Sequence, residues 1–300
     1  VIFPYLNGRD LNSSPTREAS RWIINFFDWP EQRAANYPLP YHRIERLVKP
    51  ERARNKRRVR REQWWKYAEQ AKGLYTAIAD LRRVIGIALT SNTMQPALID
   101  MPIVLDQTIV VFASGQEALL GLLSSGIHGE WARRYASSLE TRVRYTPSDV
   151  FETFPLPDDW ASLSAWGLAM ESARNAVMSG RGLGLTAAYN LVKDRQNDDP
   201  DVQALREAHV ELDRAVLDAY GWSDLASEHG FFETEQGVRF TMNPSVTAEV
   251  LDRLLELNHA RYADEVSLGQ HGKQTASGQR AARKRAASDG DGEGDAVLFE

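Results

Sequence analysis

VIGIAL (Val84–Leu89), TIVVFA (Thr108–Ala113) and QEALLGLLSSGIHGEWARRYA (116–136) decide the fold class of this 300-residue chain. The first two are short apolar runs bounded by turn residues, the pattern of buried strands. The third has a helical period, with Leu119, Leu122, Leu123, Ile127 and Trp131 as its apolar stripe. Strands and a helix within one continuous stretch predict an α+β unit. TRVRYT (Thr141–Thr146) alternates as a further strand. FETFPLP (Phe151–Pro157) closes the unit, because its prolines, two residues apart, fit neither a helix nor a sheet ladder.

Upstream, residues 1–40 read as short extended pieces and turns. Asn7-Gly8 is a turn dipeptide, and RWIINF (Arg21–Phe26) is a β-like run. Residues 43–83 read as helix, broken near Pro50 and rebuilt from Arg52, with Tyr67, Leu74, Ile78 and Leu81 at roughly helical spacing. Downstream of Asp158 the chain is expected to be almost wholly helical, with helices over 160–178, 200–220 and 247–262. Gly221 is a candidate left-handed cap for the second of these. From about Ser267 the composition collapses into Gly, Ser, Lys, Asp and Ala. Such a segment cannot bury enough apolar surface to offset chain entropy and is expected to be disordered. The predicted organisation is therefore a mixed strand and helix domain over 1–157, a mostly helical domain over 158–266 and a tail over 267–300. The chain starts at Val1 directly in a patterned segment, which reads as a piece of a longer polypeptide.

Charge divides the chain at the same place. Residues 1–155 hold 22 Lys or Arg and 16 Asp or Glu, whereas the rest hold 14 and 25, within an overall net charge of −5. Tyr41 to Lys66 alone carries eleven Lys or Arg against three Glu and includes the paired indoles Trp64 and Trp65. Such a run suits a polyanion, because each phosphate it neutralises releases condensed counterions. A solvated helical face or a nuclear-localisation-like patch has the same composition, so both readings stand at this level. Trp64 and Trp65 read as core anchors in preference to stacking platforms, since a duplex presents no free base face. Cysteine is absent, which excludes disulfides and thiolate metal sites. No apolar run approaches the ~20 residues that span a bilayer, and the amino terminus is no secretory signal.

No complete active site is visible. The six histidines show no metal-ligand spacing, and RGLGLT (Arg181–Thr186) lacks the Lys-Ser/Thr of a phosphate loop, reading instead as a turn between helices. A nucleophile elbow, an HExxH pair, a kinase set, a nuclease-like cluster of paired acids with Lys and the Asn-Pro-Pro-Tyr loop of amino-methyltransferases are all missing. His128 has two open readings, a polar contact near DNA or a helix residue bonded to a neighbour. His209, flanked by acids, reads as structural.

An ordered set of motifs carries a resemblance. It begins with PYLNGRDLN (Pro4–Asn12), WIINF (Trp22–Phe26), AANYP (Ala34–Pro38), VKPER (Val48–Arg52) and RREQWW (Arg60–Trp65). It continues with VVFA (Val110–Ala113), LLSSGIHGEWA (Leu122–Ala132) and RYTPSDVFETFPLP (Arg144–Pro157). GLTAAYN (Gly184–Asn190), LREAHVELDRAVLDAYGW (Leu205–Trp222) and LDRLLELNHARY (Leu251–Tyr262) complete it. Each motif is weak alone; in this order, across nearly 260 residues, the chain resembles the carboxy-terminal part of MmeI-like (type IIL) restriction-modification enzymes. The matching parts are the target-recognition domain and the helical domain behind it.

The resemblance implies a cytoplasmic parent polypeptide whose nuclease, helical spacer and adenine-specific methyltransferase precede Val1. S-adenosylmethionine, and Mg for any nuclease, would be bound there, and no cofactor is expected on this chain. The implied partners are double-stranded DNA and that upstream methyltransferase domain, with no membrane. Phosphate contacts fix register and base-edge contacts specify sequence. For phosphates the expected residues are Lys49, Arg52, Arg54, Lys56, Arg57, Arg58, Arg60 and Arg61, of which three to five fit on one helical face. For base edges they are Arg133, Arg134, Glu140, Arg142 and Arg144. Alternation would point Glu140, Arg142 and Arg144 the same way, Arg pairing with guanine and Glu with the cytosine amine. A surface ion pair of Glu140 with either arginine is the plainer alternative. Two other functions remain open: the recognition part of a phage-defence methyltransferase without a nuclease, and a nonenzymatic scaffold whose acidic helical half binds a protein.

Overall fold

The computed structural model describes residues 1–139, 142–234 and 237–269. Internal contacts divide the chain after Asp252: Val1–Asp252 is one unit, and the second begins at Arg253. Strand β1 (Ile2–Leu6) pairs antiparallel with β2 (Arg21–Ile24), in register from Ile2 opposite Ile24 to Tyr5 opposite Arg21. Asn7-Gly8 forms no turn between strands. The Asn7 side chain accepts a hydrogen bond from the Asp10 amide at 2.9 Å and caps helix α1 (Gly8–Ser13), so the dipeptide starts a helix.

The basic stretch departs most from its expected form. In place of a two-part helix it makes short turns of helix: α2 (Glu31–Ala35), α3 (Pro38–Leu47), α4 (Lys49–Arg52), α5 (Arg58–Glu62) and α6 (Lys72–Ala77). Between Lys49 and Gln63 the only large apolar side chain is Val59, and it is 64% exposed. With no apolar stripe to bury and many like charges one turn apart, nothing sustains a longer helix. The segment is held instead by its aromatic end. Trp64 is buried, and the Trp65 indole donates to the Trp29 carbonyl at 2.8 Å, so the pair anchors the core as expected.

The central sheet has the order β5-β3-β7, all antiparallel, from β3 (Arg83–Ala88), β5 (Ala97–Asp100) and β7 (Ile109–Phe112). β3 is buried from Val84 onward, which is why its sequence is an unbroken apolar run. The two-residue β4 (Thr90–Ser91) follows β3, and β6 (Val104–Leu105) joins β1 in parallel. The helix expected over 116–136 is two helices, α7 (Glu117–Ser124) and α8 (Gly126–Tyr135). Ser125 is extended between them (φ −65°, ψ 152°), and its hydroxyl caps α8 by accepting from the His128 amide at 3.1 Å. β8 (Ser137–Leu139) and β9 (Arg142–Arg144) then build a third sheet with β4, in the order β4-β9-β8. After α9 (Pro147–Val150), Phe154 is buried and Phe151 meets Phe112 edge-on at 4.9 Å, so both close the core.

Beyond a 3-10 turn at Trp160–Leu163, the helices are α10 (Ser164–Arg181), α11 (Leu185–Lys193), α12 (Pro200–Ala219) and α13 (Pro244–Ser267). α10 crosses α7 at a pair of glycines. A β-carbon on Gly167 would lie 1.9 Å from the Glu117 carbonyl oxygen, so only glycine permits this approach. A buried ion triad adds a second tie: Glu171 on α10 meets Arg17 at 2.7 Å and also Arg174. Burial pushes the Glu171 carboxyl up, but the two guanidiniums overcome it and hold the pKa down to about 2. Gly182 and Gly221 end α10 and α12 with positive φ, the second in the expected capping role. One element breaks the helical pattern, the hairpin of β10 (His229–Thr234) and β11 (Gly237–Met242). The tail expected from 267 lies, from residue 270 on, outside the described residues. Among the described residues no helix is long and apolar enough to cross a membrane.

Candidate nucleic-acid interface

Of the eight residues expected at phosphates, Lys49, Arg54, Lys56, Arg57, Arg58 and Arg61 are exposed. Arg52 and Lys49 have structural work as well. Arg52 is half-buried and donates to the Trp64 carbonyl at 3.1 Å and to the Lys66 carbonyl, holding the turn that carries the two indoles. Burial lowers its pKa, with Arg60 adding to the effect. Lys49 pairs with Glu45 at 2.9 Å and lies over the Trp64 ring at 4.8 Å. Arg60 is partly enclosed. Even the exposed members are locally braced: Arg61 donates to the Asn55 carbonyl at 2.7 Å, and Arg58 meets Glu62 at 2.6 Å. The run therefore presents cations on short, cross-braced turns.

The second group is organised by β9, whose burial alternates: Arg142 and Arg144 are exposed and Val143 is buried. Both arginines thus leave the same face of the strand. Arg144 pairs in register with Thr90 on one side and Ser137 on the other, so its backbone is held from both edges. Glu140, the third member of the expected set, lies outside the described residues. Arg134 is exposed on the last turn of α8, whereas Arg133 is turned into a cavity, partnered by Glu130 at 2.7 Å. Arg133 is therefore not displayed beside Arg142 and Arg144.

His128 is not at the surface. It is 2% exposed, and both ring nitrogens are engaged inside the protein. Nδ1 faces the Leu123 carbonyl at 3.1 Å, which can only accept, so Nδ1 carries the proton. Nε2 then accepts from the Tyr145 hydroxyl at 3.0 Å. Burial holds the imidazole pKa down to about 4, which keeps this neutral tautomer. The reading of His128 as a DNA contact is corrected by this geometry: it anchors Tyr145, the residue that follows β9. His209 is structural as expected, half-buried with its Nε2 facing the Tyr189 hydroxyl at 3.0 Å.

A cavity of about 70 Å³ lies within Val1–Asp252, between α8, α11, α12 and the β10–β11 hairpin. Arg133, Lys193 and Arg239 line it together with His209, Asp213 and His229. Sequence reasoning missed this site, because its residues come from separate segments and share no spacing. S-adenosylmethionine does not fit here, since these cations would repel its sulfonium. Among the described residues no group of three or more His, Asp or Glu is placed to hold a metal ion.

A family model described as the MmeI target recognition domain matches residues 4–158. Among solved structures, the chain is similar to the type IIL restriction-modification enzyme MmeI in complex with DNA, at 21% identity and a TM-score of 0.58. That likeness covers 87% of this chain and 31% of the other. No curated protein matches.

Proposed function

The chain belongs to the MmeI target recognition domain family over residues 4–158, and from that premise we propose that it selects the DNA sequence on which a restriction-modification enzyme acts. The observation that carries the reading is the pairing of two cationic surfaces in the matched segment. One is the run from Arg54 to Arg61; the other is the Arg142 and Arg144 face of β9. The run grips the phosphates, and the β9 arginines, with Glu140 and Arg134 beside them in sequence, read base edges in the major groove.

The chain spans 31% of the length of the solved protein it resembles. In this proposal adenine methylation with S-adenosylmethionine, and any Mg-dependent cleavage, belong to other domains of such a polypeptide and serve phage defence. The target adenine would be turned out of the stack there while this chain holds the duplex.

The test is the salt dependence of duplex binding by the whole chain, followed by fluorescence anisotropy. Three to five phosphate contacts give a log–log slope of roughly −2.7 to −4.5, at about −0.9 per phosphate. A slope near zero would refute the reading and favour the scaffold function.

A further inference from the structure

α12 lies beyond the segment that the family model matches, yet one of its side chains holds the helix that leads into β9. Asp213 is 2% exposed and accepts from two directions. Its Oδ1 takes the Gly126 amide at 2.6 Å, and its Oδ2 faces His229 Nε2 on β10 at 2.8 Å. Gly126 is the first residue of α8, and an amide at that position has no acceptor within its own helix. The carboxylate supplies one from 87 residues away and sets a negative charge at the positive end of the helix dipole. The approach depends on glycine, since a β-carbon on Gly126 would lie 2.5 Å from Oδ2.

The carboxylate is itself fixed. His229 Nδ1 faces the Ser227 carbonyl at 2.9 Å, and both partners of the ring can only accept. The ring is therefore an imidazolium; burial opposes that charge, yet the Asp213 bond and charge raise its pKa. Either neutral tautomer would turn a nitrogen lone pair toward an oxygen lone pair and lose one of the two bonds. The other ionisable groups at this junction are His209 on α12, Arg133 on α8, Tyr189 and Lys193 on α11, and Arg239 on β11. Glu130 partners Arg133 at 2.7 Å. From α8 the contacts continue to the readout strand. His128, two residues after Gly126, accepts from the Tyr145 hydroxyl at 3.0 Å. Tyr145 follows β9, and its amide donates to the Leu89 carbonyl at 2.8 Å. The Trp131 indole, also on α8, donates to the Val150 carbonyl at 3.1 Å.

We propose that Asp213, locked by His229, is a positioning residue for DNA readout: it sets the amino end of α8 and, through His128 and Tyr145, the aim of Arg142 and Arg144. The proposal rests on β9 as the base-reading strand. It makes selectivity depend on the His229 proton. As pH rises through the folded His229 pKa the imidazolium is lost, Asp213 is released and discrimination between sequences falls. The phosphate grip of the run from Arg54 to Arg61 does not change.

The test follows the whole chain from neutral to alkaline pH. NMR observes the His229 Cε1–H signal with the amides of Gly126, Val143 and Tyr145. The ring itself must be followed because Lys193, held down to about 8 by burial and then by Arg239 and Arg133, titrates nearby. Anisotropy compares the preferred duplex with one altered at a single base pair. In the parent the three amides should shift with the His229 titration. The preference ratio should fall about fivefold, the low end of coupling between two sites, at an unchanged salt slope. Asp213→Asn keeps an acceptor for Gly126 but not the charge for His229, so it should hold the lowered ratio throughout and abolish its pH dependence. Gly126→Ala leaves every charge in place and should lower the ratio at neutral pH as well. A purely structural role would weaken binding to all duplexes equally, and that result overturns the proposal. So do Val143 and Tyr145 amides that stay still while His229 titrates, an answer the parent gives even if a variant folds poorly. Arg144→Ala runs in parallel. If it changes the preferred sequence while the ratio ignores the His229 proton, readout stands and the positioning role falls. If Arg144→Ala changes nothing, the β9 reading has failed and the proposal falls with it.

Discussion

The basic run and the β9 strand are both rich in arginine, and the protein holds them in opposite ways. From Arg54 to Arg61 the cations sit on short helical turns whose bracing is mostly local, such as Arg61 on the Asn55 carbonyl and Arg58 on Glu62. Arg142 and Arg144 stand on a strand paired on both edges, and its following residue, Tyr145, is pinned by His128. Charge density on short, locally braced turns suits phosphates, which repeat along a duplex and carry no sequence information. Discrimination between bases needs a donor fork held to within a fraction of an ångström, and a sheet supplies that. In the proposed function, affinity belongs to the first region and selectivity to the second.

The comparison breaks most visibly if the run is neutralised. Replacing Arg57, Arg58, Arg60 and Arg61 together with Ala should weaken binding to every duplex roughly a thousandfold at low salt, and flatten the salt slope by about three to four units. Anisotropy titrations from low to high salt would measure both. Unequal losses on different sequences would mean that the run reads bases after all.

The next effect is on the anchor of β9. His128 is neutral when folded, with a pKa near 4 against 6.5 when exposed. The unfolded state takes up the proton first, so stability is lost as pH falls from about 6.5 to 4, by up to about 3 kcal/mol. His209 is also held near 4 and adds in the same direction. His229 has the reverse sign: its raised pKa contributes stability at low pH that is lost as pH rises through the folded value. Urea unfolding across this range should show a net acid loss, shallower in His128→Gln. At mildly acid pH sequence preference should fade before overall affinity does, whereas simultaneous loss would unlink the anchor from readout.

A smaller change sharpens the other half of the comparison. Arg142→Ala or Arg144→Ala should alter discrimination at one base pair by about 1–3 kcal/mol, seen as a redistribution of preferred duplexes with the salt slope nearly unchanged. The smallest effect concerns Glu62. Glu62→Gln frees Arg58 and removes a negative charge from the run, so duplex affinity should rise a few-fold in anisotropy. Stability should move by no more than about 0.5 kcal/mol, the scale of an exposed helical ion pair. Weaker binding would show that the Arg58–Glu62 bridge positions the arginine.

What the sequence disclosed follows from which physics is local. β3, β7 and β9 were legible because burial on one or both faces writes itself into neighbouring residues. The break at Ser125 was not, since Leu123 and Ile127 continue the apolar stripe on either side of a serine that caps the next helix. The basic helix failed for want of any apolar face. The β10–β11 hairpin was overlooked although its residues from Phe231 to Phe240 are rich in strand formers, because the surrounding helices dominated the pattern. For the candidate site, residue types were visible and their roles were not. The orientation of Arg133 into a cavity and of His128 into the core depends on Glu130, Tyr145 and distant helices. The cavity itself left no signal in spacing, as Ser124, Lys193 and Arg239 meet only through tertiary packing.

The most direct measurement is affinity selection from a pool of randomised duplexes, run in parallel with the parent chain, the Arg57/Arg58/Arg60/Arg61→Ala variant and Arg144→Ala. The quadruple variant should recover less DNA but the same consensus, and Arg144→Ala should recover a consensus changed at one position. A consensus that shifts in the quadruple variant and survives intact in Arg144→Ala would contradict the division between grip and readout.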